Sequence, residues 1–210
     1  MTPTTRRSGR AAPMAPDERR RTIIEAVVPL LLQHGDEVTT KQIAEAAGIA
    51  EGTIFRVFPD KAALLMATAE ETMDPVMNRV QLEAAIADTD DLREKVLITV
   101  NRLFERSERV MLVMMALRRL WMNQPDRHRD HTGPPRFITE ANLALHELLT
   151  SLFEPHRAEL AVDPELAATL LRTLVQGSRH PGADSVRRLT DEQITDSLLD
   201  GIRHRPTKED

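Results

Sequence analysis

The stretch from Thr39 to Lys61, TTKQIAEAAGIAEGTIFRVFPDK, constrains the fold of this chain more than any other part of it. Its pattern predicts a short helix, a tight turn at Gly48, a second short helix and the start of a third. Small residues crowd its middle, namely Ala44, Ala46, Ala47, Gly48, Ala50 and Gly52. Two helices pack closely at a steep angle only where side chains are small, and the turn needs a residue that tolerates positive φ. The stretch therefore predicts a helix-turn-helix, whose second helix can enter the major groove of DNA.

Composition places the chain among ordinary globular proteins. Of its 210 residues, 41% are apolar and 29% charged, and there is no cysteine, which excludes disulfides and thiolate metal sites. No apolar run approaches the roughly 18–20 residues that span a bilayer, and the N-terminus lacks the apolar core of a signal peptide. We therefore expect a cytoplasmic protein. No catalytic, phosphate-binding or metal-ligand motif stands out, so we expect no enzyme, no cofactor and no metal.

Charge is distributed unevenly along the chain. Residues 1–61 carry nine Lys and Arg against eight Asp and Glu, a balance of +1, whereas the whole chain carries −5. The remainder is therefore the acidic part. A near-neutral to basic head on an acidic body fits a small DNA-binding head and a larger body with another task.

Apolar periodicity predicts helices throughout and no strand, so we expect an all-α fold. We divide the chain into a disordered basic arm (1–16), a helix-turn-helix domain (17–62, motif about 39–58) and a helical body (63–210). The arm either is a solvated tail or touches DNA through its arginines. The predicted helices cover approximately 17–34, 39–47, 50–57, 61–73, 75–87, 92–106, 108–122, 135–153, 164–177 and 191–204. Pro29 lies inside the first, where we expect a kink.

The segment from Arg20 to Leu65 resembles the tetracycline-repressor (TetR) family of bacterial transcription regulators. The resemblance rests on the gapless motif IAEAAGIAEGTIFRVFPDKAAL and on the preceding helix. The matching residues are Ile24, Ala26, Leu30, Gly35, Thr39, Ile43, Ala44, Ala47, Gly48, Gly52, Thr53, Phe58, Lys61 and Leu64. The resemblance implies a homodimer that binds a palindromic operator in double-stranded DNA, usually as a repressor. It also implies that a small effector in the body releases the DNA.

The same resemblance assigns roles to individual residues of the motif. Thr39 would cap the second helix and contact a phosphate, and Thr40 and Gln42 would meet phosphates or base edges. Thr53 and Arg56 would read bases or backbone, and Lys61 would contact a phosphate. Arg20 either belongs to a solvated helix start or touches the backbone. Arg56 either forms a bidentate contact to guanine or contacts a phosphate.

Four departures from the family pattern leave the operator sequence open. Ala50 and Glu51 stand where Ser-Lys is common, so a capping hydroxyl is lost and an anion replaces a cation. Glu51 either accepts from a cytosine amino group or faces solvent. Phe55 and Val57 replace two tyrosines, and Phe55 could touch a thymine methyl. These departures also support an alternative, a helical protein-interaction module whose helix-turn-helix is vestigial.

The body is predicted to hold an effector and to dimerise. Methionines and aromatics suit an adaptable, mostly apolar pocket, although plain core packing explains each of them as well. The predicted pocket residues are Phe104, Met111, Met114, Met115, Trp121 and His146. We expect the last two helices to pair with their copies in a four-helix bundle. The predicted interface residues are Leu166, Leu170, Leu174, Ile194, Leu198 and Ile202.

Overall fold

The computed structural model describes residues 15–123, 135–178 and 188–203, and in these ranges it is helical, as expected. The α-helices are α1 (Pro16–His34), α2 (Thr40–Ala46), α3 (Glu51–Val57), α4 (Lys61–Thr72), α5 (Pro75–Ile86), α6 (Leu92–Asn123), α7 (Arg136–Phe153), α8 (Pro164–Ser178) and α9 (Asp191–Ile202). Short 3₁₀ helices cover Gly35–Glu37 and Glu154–Glu159. The predicted arm lies outside the described residues. None of the described helices is long and apolar enough to cross a membrane.

Local signals in the sequence fix most helix ends. Thr39 and Thr190 cap α2 and α9, and in each case the glutamine three residues on completes a capping box. Asp60 accepts a hydrogen bond from the amide of Ala63 at 2.8 Å and thereby caps α4. Asp74 accepts from two amides at the start of α5, so the chain breaks between α4 and α5 as predicted.

Two glycines adopt the left-handed conformation where the chain turns sharply. Gly35 follows α1 with φ 60°, and Gly48 joins α2 to α3 with φ 67°. No other described residue has positive φ, so these two turns depend on glycine. Pro29 lies inside α1, which continues as one helix to His34.

The prediction of two helices between residues 92 and 122 is wrong. The structure has one helix there, α6, which runs for 32 residues, or about 48 Å at 1.5 Å per residue. The segment contains no glycine or proline, so nothing in its backbone ends the helix near Arg106. The polar residues around Arg106 lie between the part of α6 that is buried in one apolar core and the part that is buried in another.

Helix α6 belongs to two apolar cores. Its N-terminal half, with Val96 and Val100, packs with α7, α8 and α9 in the core of the body. Its C-terminal half, with Val113 and Leu117, packs with α1 to α4 in the core of the head. The head's core therefore continues past the predicted boundary at residue 62, and α6 joins the two parts.

Candidate nucleic-acid interface and body cavities

The start of α2 is held by a reciprocal cap. The Thr39 hydroxyl accepts from the amide of Gln42 at 3.2 Å, and Gln42 Oε1 accepts from the Thr39 amide at 2.8 Å. The Thr39 hydroxyl also donates to Gln42 Oε1 at 2.9 Å. The cap fixes the entry of α2 and uses the side-chain oxygens of both residues. Of the two residues predicted to meet DNA here, Thr39 is exposed and Gln42 half-buried.

Helix α3 divides into a buried and an exposed face. Ile54 has no exposed surface, and Phe58 just after the helix is 2% exposed, so both anchor α3 in the head's core. Phe55 and Arg56 point to solvent, with Phe55 49% exposed. Arginine can contact guanine and an apolar side chain can contact the thymine methyl in a major groove. Thr53 is half-buried at the edge of this surface.

Glu51 has a partner that the sequence did not suggest. Its carboxylate accepts a hydrogen bond from the Thr40 hydroxyl at 2.5 Å and so links the first turns of α2 and α3. The Thr40 hydroxyl proton is thus committed to Glu51 in the free protein. Ala50 supplies no side-chain cap to α3, as its missing hydroxyl implies. The carboxylate of Glu51 lies in the first turn, where it suits the helix dipole.

Arg20 of α1 contacts the aromatic ring of Phe58, the residue that follows α3. Its guanidinium carbon is 4.7 Å from the centroid of the Phe58 ring, a cation–π distance. The contact holds an exposed arginine of α1 beside the end of α3.

Lys61 faces the protein rather than solvent. Its ammonium donates to the carbonyl of Val38, and partial burial lowers the pKa of Lys61. Asp36 opposes this effect on the pKa, and Arg119 adds to it. Contact with a DNA phosphate would require the ammonium to leave Val38, so the structure gives Lys61 a role inside the head.

Sequence reasoning missed two features of the head. Lys41 is an exposed cation beside Thr40, and its place in the first turn of α2, two residues after the capping Thr39, was the available signal. Arg119 of α6 pairs with Asp36 and lies 3.6 Å from Glu37. This head–body ion pair joins residues 83 positions apart, so no local pattern announced it.

The six predicted pocket residues do not converge on one cavity. Phe104 and Met111 line a cavity of about 540 Å³ beside the start of α9. Met114 packs against the head's core, and Met115 is 54% exposed. His146 lines a different groove, 3.9 Å from Glu165. The side chain of Trp121 lies outside the described residues.

The predicted interface residues fall into two groups. Ile194, Leu198 and Ile202 are at most 2% exposed within their own chain, which corrects their assignment to a dimer interface. They pack against α6 and α8 instead. Leu174 packs partly buried against the same core. Leu166 and Leu170 on α8 are exposed, and Leu143 on the adjacent α7 is 60% exposed. Of the two helices predicted to form the interface, α8 therefore carries exposed leucines, whereas the predicted residues of α9 are buried.

A basic cleft separates α5, α6 and α7. Three arginines on successive turns of α6 line this cleft, namely Arg102, Arg106 and Arg109. The volume of the cleft is about 30 Å³. A larger cavity of about 420 Å³ lies between α1, α4, α5 and α6 and shares Arg109 with the cleft. No cluster of three or more His, Asp or Glu suited to a metal occurs in the described ranges.

Residues 23–68 match the model of the family described as bacterial regulatory proteins, tetR family. The match covers α2, α3 and most of α1 and α4. It confirms the resemblance seen in the sequence, and it concerns the N-terminal segment of the chain. No curated protein matches the chain.

Solved structures share the whole fold. A TetR transcriptional regulator from Streptomyces coelicolor is 19% identical with a TM-score of 0.59, covering 88% of this chain and 98% of its own. The fatty acid degradation regulator FadR from Bacillus halodurans is 21% identical with a TM-score of 0.58, covering 89% and 97%. NalD of Pseudomonas aeruginosa, the secondary repressor of a multidrug efflux pump, is 21% identical with a TM-score of 0.52, covering 90% and 98%. At these identities the likeness shows the fold alone, a helix-turn-helix head on a helical body.

Proposed function

We propose that this chain is a ligand-responsive transcriptional repressor that binds a palindromic operator as a homodimer in the cytoplasm. The observation that carries the proposal is the geometry of the matched head. A capped α2 supports an α3 whose inner face is anchored by Ile54 and Phe58 and whose outer face presents Phe55 and Arg56. This arrangement suits insertion of α3 into the major groove.

The proposed DNA contacts follow from exposure. Arg56 would read a base edge, because an exposed arginine on a recognition helix can form a bidentate contact to guanine. Phe55 would touch a thymine methyl, and Thr53 the edge of the groove. Lys41 and Arg20 would contact phosphates on either side. Lys61 is left out of this set because its ammonium is bonded to Val38.

Dimerisation would use the exposed leucines of α7 and α8. Leu143, Leu166 and Leu170 are 60%, 43% and 36% exposed on neighbouring helices, and a second copy related by a two-fold axis would cover all three. The two-fold axis would present two α3 helices to two half-sites of an operator. The buried face of α9 would support this surface from behind.

Effector response would act through the junction of head and body. Helix α6 lies in both cores, and Arg119 near its end pairs with Asp36 in the head. An effector releases DNA only if it binds more tightly to the arrangement of heads that cannot bind the operator. A ligand between α1 and α6 would have such a preference, since it would change how the head sits on α6.

A DNA-binding assay tests the proposal. Fluorescence anisotropy would be measured with DNA from the promoter region of the protein's own gene, and with a shuffled duplex, over a series of salt concentrations. We expect tighter binding to the promoter DNA than to the shuffled duplex. The logarithm of the affinity should fall linearly with the logarithm of the salt concentration, because phosphate contacts release counterions. Absence of salt-sensitive binding at low ionic strength would refute the proposal.

The alternative is a protein-interaction module with a vestigial helix-turn-helix. It is favoured by the carboxylate of Glu51 at the start of α3, which repels phosphates and occupies the Thr40 hydroxyl. The two functions separate with Glu51→Gln, which keeps an acceptor for Thr40 and removes the charge. A regulator whose α3 enters DNA should bind DNA more tightly after this change, whereas an interaction module should still not bind it.

A further inference from the structure

The cleft between α5, α6 and α7 holds more positive charge than its surroundings neutralise. Arg102, Arg106 and Arg109 are spaced by four and three residues, which places them on one face of α6. Arg172 of α8 approaches Arg106 closely enough to disfavour its charge. Among the described residues the acidic partner within this group is Glu105, which lies 3.4 Å from Arg102. The other three arginines have no carboxylate within ion-pair distance in the described ranges.

Arg106 is the most constrained member of this group. Its Nε atom is buried and has no hydrogen-bond partner. Burial, Arg172 and Arg109, in that order, lower the pKa of Arg106. A partly buried guanidinium without a counter-charge is destabilising, and like charges beside it add to this effect. Such an arrangement becomes favourable when an anion enters it, because a guanidinium offers several donors in a planar fork.

The surroundings of the cleft restrict the shape of that anion. Leu82, Leu103, Leu145 and Leu148 also line the cleft. The volume of the cleft, about 30 Å³, leaves room only for the charged head group of a ligand. The larger cavity shares the lining residues Asn78, Gln81 and Arg109 with the cleft, and apolar residues of α1 and α5 also line it. These are Ile24, Val28, Pro29, Leu32 and Met77.

Two carboxylates also face the larger cavity. Glu25 and Glu71 lie on α1 and α4, whereas the arginine that lines this cavity, Arg109, lies on α6. They would repel an anionic head group from that wall and direct it towards the cleft. The cleft, with three arginines, and the larger cavity, with two carboxylates, thus differ in charge, which gives a bound molecule one orientation.

We propose that the arginine cleft binds the anionic head group of a small amphipathic molecule, whose apolar body occupies the cavity between α1 and α5. The proposal rests on the proposed function, since this molecule would be the effector. Its body would lie against Val28 and Leu32 of the head helix α1 while its head group is held by α6. Binding would therefore act on the junction that positions the head.

Thermal unfolding followed by circular dichroism at 222 nm tests the proposal without DNA. The probes are octanoate, octyl phosphate and octanol, each below the concentration at which it aggregates. We expect at least one anion to raise Tm in a saturable manner while octanol has little effect, and the stronger anion identifies the head group. Equal stabilisation by octanol, or no stabilisation by either anion, would overturn the proposal.

Variants locate the site. Arg109→Gln changes an exposed arginine and should leave the fold intact while weakening anion binding about tenfold or more. Arg106→Gln should also weaken binding and should raise Tm of the free protein, because it removes a buried like charge. Arg93→Gln is the control, since Arg93 pairs with Asp196 at the far end of α6. Unchanged anion affinity in Arg109→Gln would refute the assignment, and because no DNA is present the outcome is separate from that of the DNA-binding assay.

Discussion

Replacement of Leu143 by serine should dissociate the proposed dimer without unfolding the protomer. Leu143 is 60% exposed on α7, so its side chain contributes little to the core of its own chain. Full burial of a leucine side chain is worth about 1.5–3 kcal/mol, so covering the exposed part would contribute about 1–2 kcal/mol. A two-fold axis repeats each contact, which doubles the effect to about 2–4 kcal/mol per dimer. The dissociation constant should then rise roughly 30- to 1,000-fold.

Sedimentation equilibrium over a range of protein concentrations measures this change, and urea unfolding of the monomeric variant checks its fold. Val76→Ser is the matched control, because Val76 is 70% exposed but lies on α5, which is outside the proposed interface on α7 and α8. The control should leave the dissociation constant unchanged. The interface assignment fails if Leu143→Ser dimerises like the wild type, or if both variants weaken the dimer equally.

Further predictions concern the head. Arg56→Gln should reduce the preference for operator over shuffled DNA by about 1–3 kcal/mol in anisotropy titrations, and an equal loss on both duplexes would show a phosphate contact instead. Thr39→Ala should lower the free energy of unfolding in urea by about 1 kcal/mol through loss of the α2 cap, whereas an unchanged midpoint would contradict that. Lys61→Met should leave the slope of log affinity against log salt concentration unchanged. Lys41→Met should reduce that slope by about the amount that one phosphate contact contributes. A reduced slope in Lys61→Met would show that Lys61 contacts a phosphate, as the resemblance implies. Because burial lowers the pKa of folded Lys61 below its unfolded value of 10.5, the unfolded state binds more protons between these two values. Wild-type stability relative to Lys61→Met should therefore rise as pH increases through that alkaline window, and a flat or falling difference in urea unfolding would contradict the burial argument.

Features specified by neighbouring residues were predictable from the sequence. The T-x-x-Q patterns at Thr39 and Thr190 gave both capping boxes, and Asp74 before a proline gave the break between α4 and α5. The turn at Gly48 required positive φ, which the structure shows. In each of these cases the physical cause lies within about four residues of its effect, so the pattern alone suffices.

Features that depend on distant residues were not predictable in this way. An apolar stripe on a helix shows that the face is buried but not what covers it. Ile194 and Leu198 have the same spacing as Leu166 and Leu170, yet the first pair is buried by α6 and α8 of its own chain and the second pair is exposed. Likewise, the family resemblance implied that the ammonium of Lys61 contacts a phosphate. Its hydrogen bond to the carbonyl of Val38 joins residues 23 positions apart, so no local pattern predicts it.

The continuous helix α6 limits how the body can signal to the head. Val96 and Leu117 belong to different apolar cores and lie on one helix without glycine or proline between them. Bending such a helix breaks backbone hydrogen bonds, whereas sliding or rotating it repacks both ends together. A ligand held by Arg106 in the middle of α6 would therefore act on both cores through rigid movement of one element. The ion pair between Arg119 and Asp36 at the head end is exposed and contributes little to stability, so it can exchange partners during that movement.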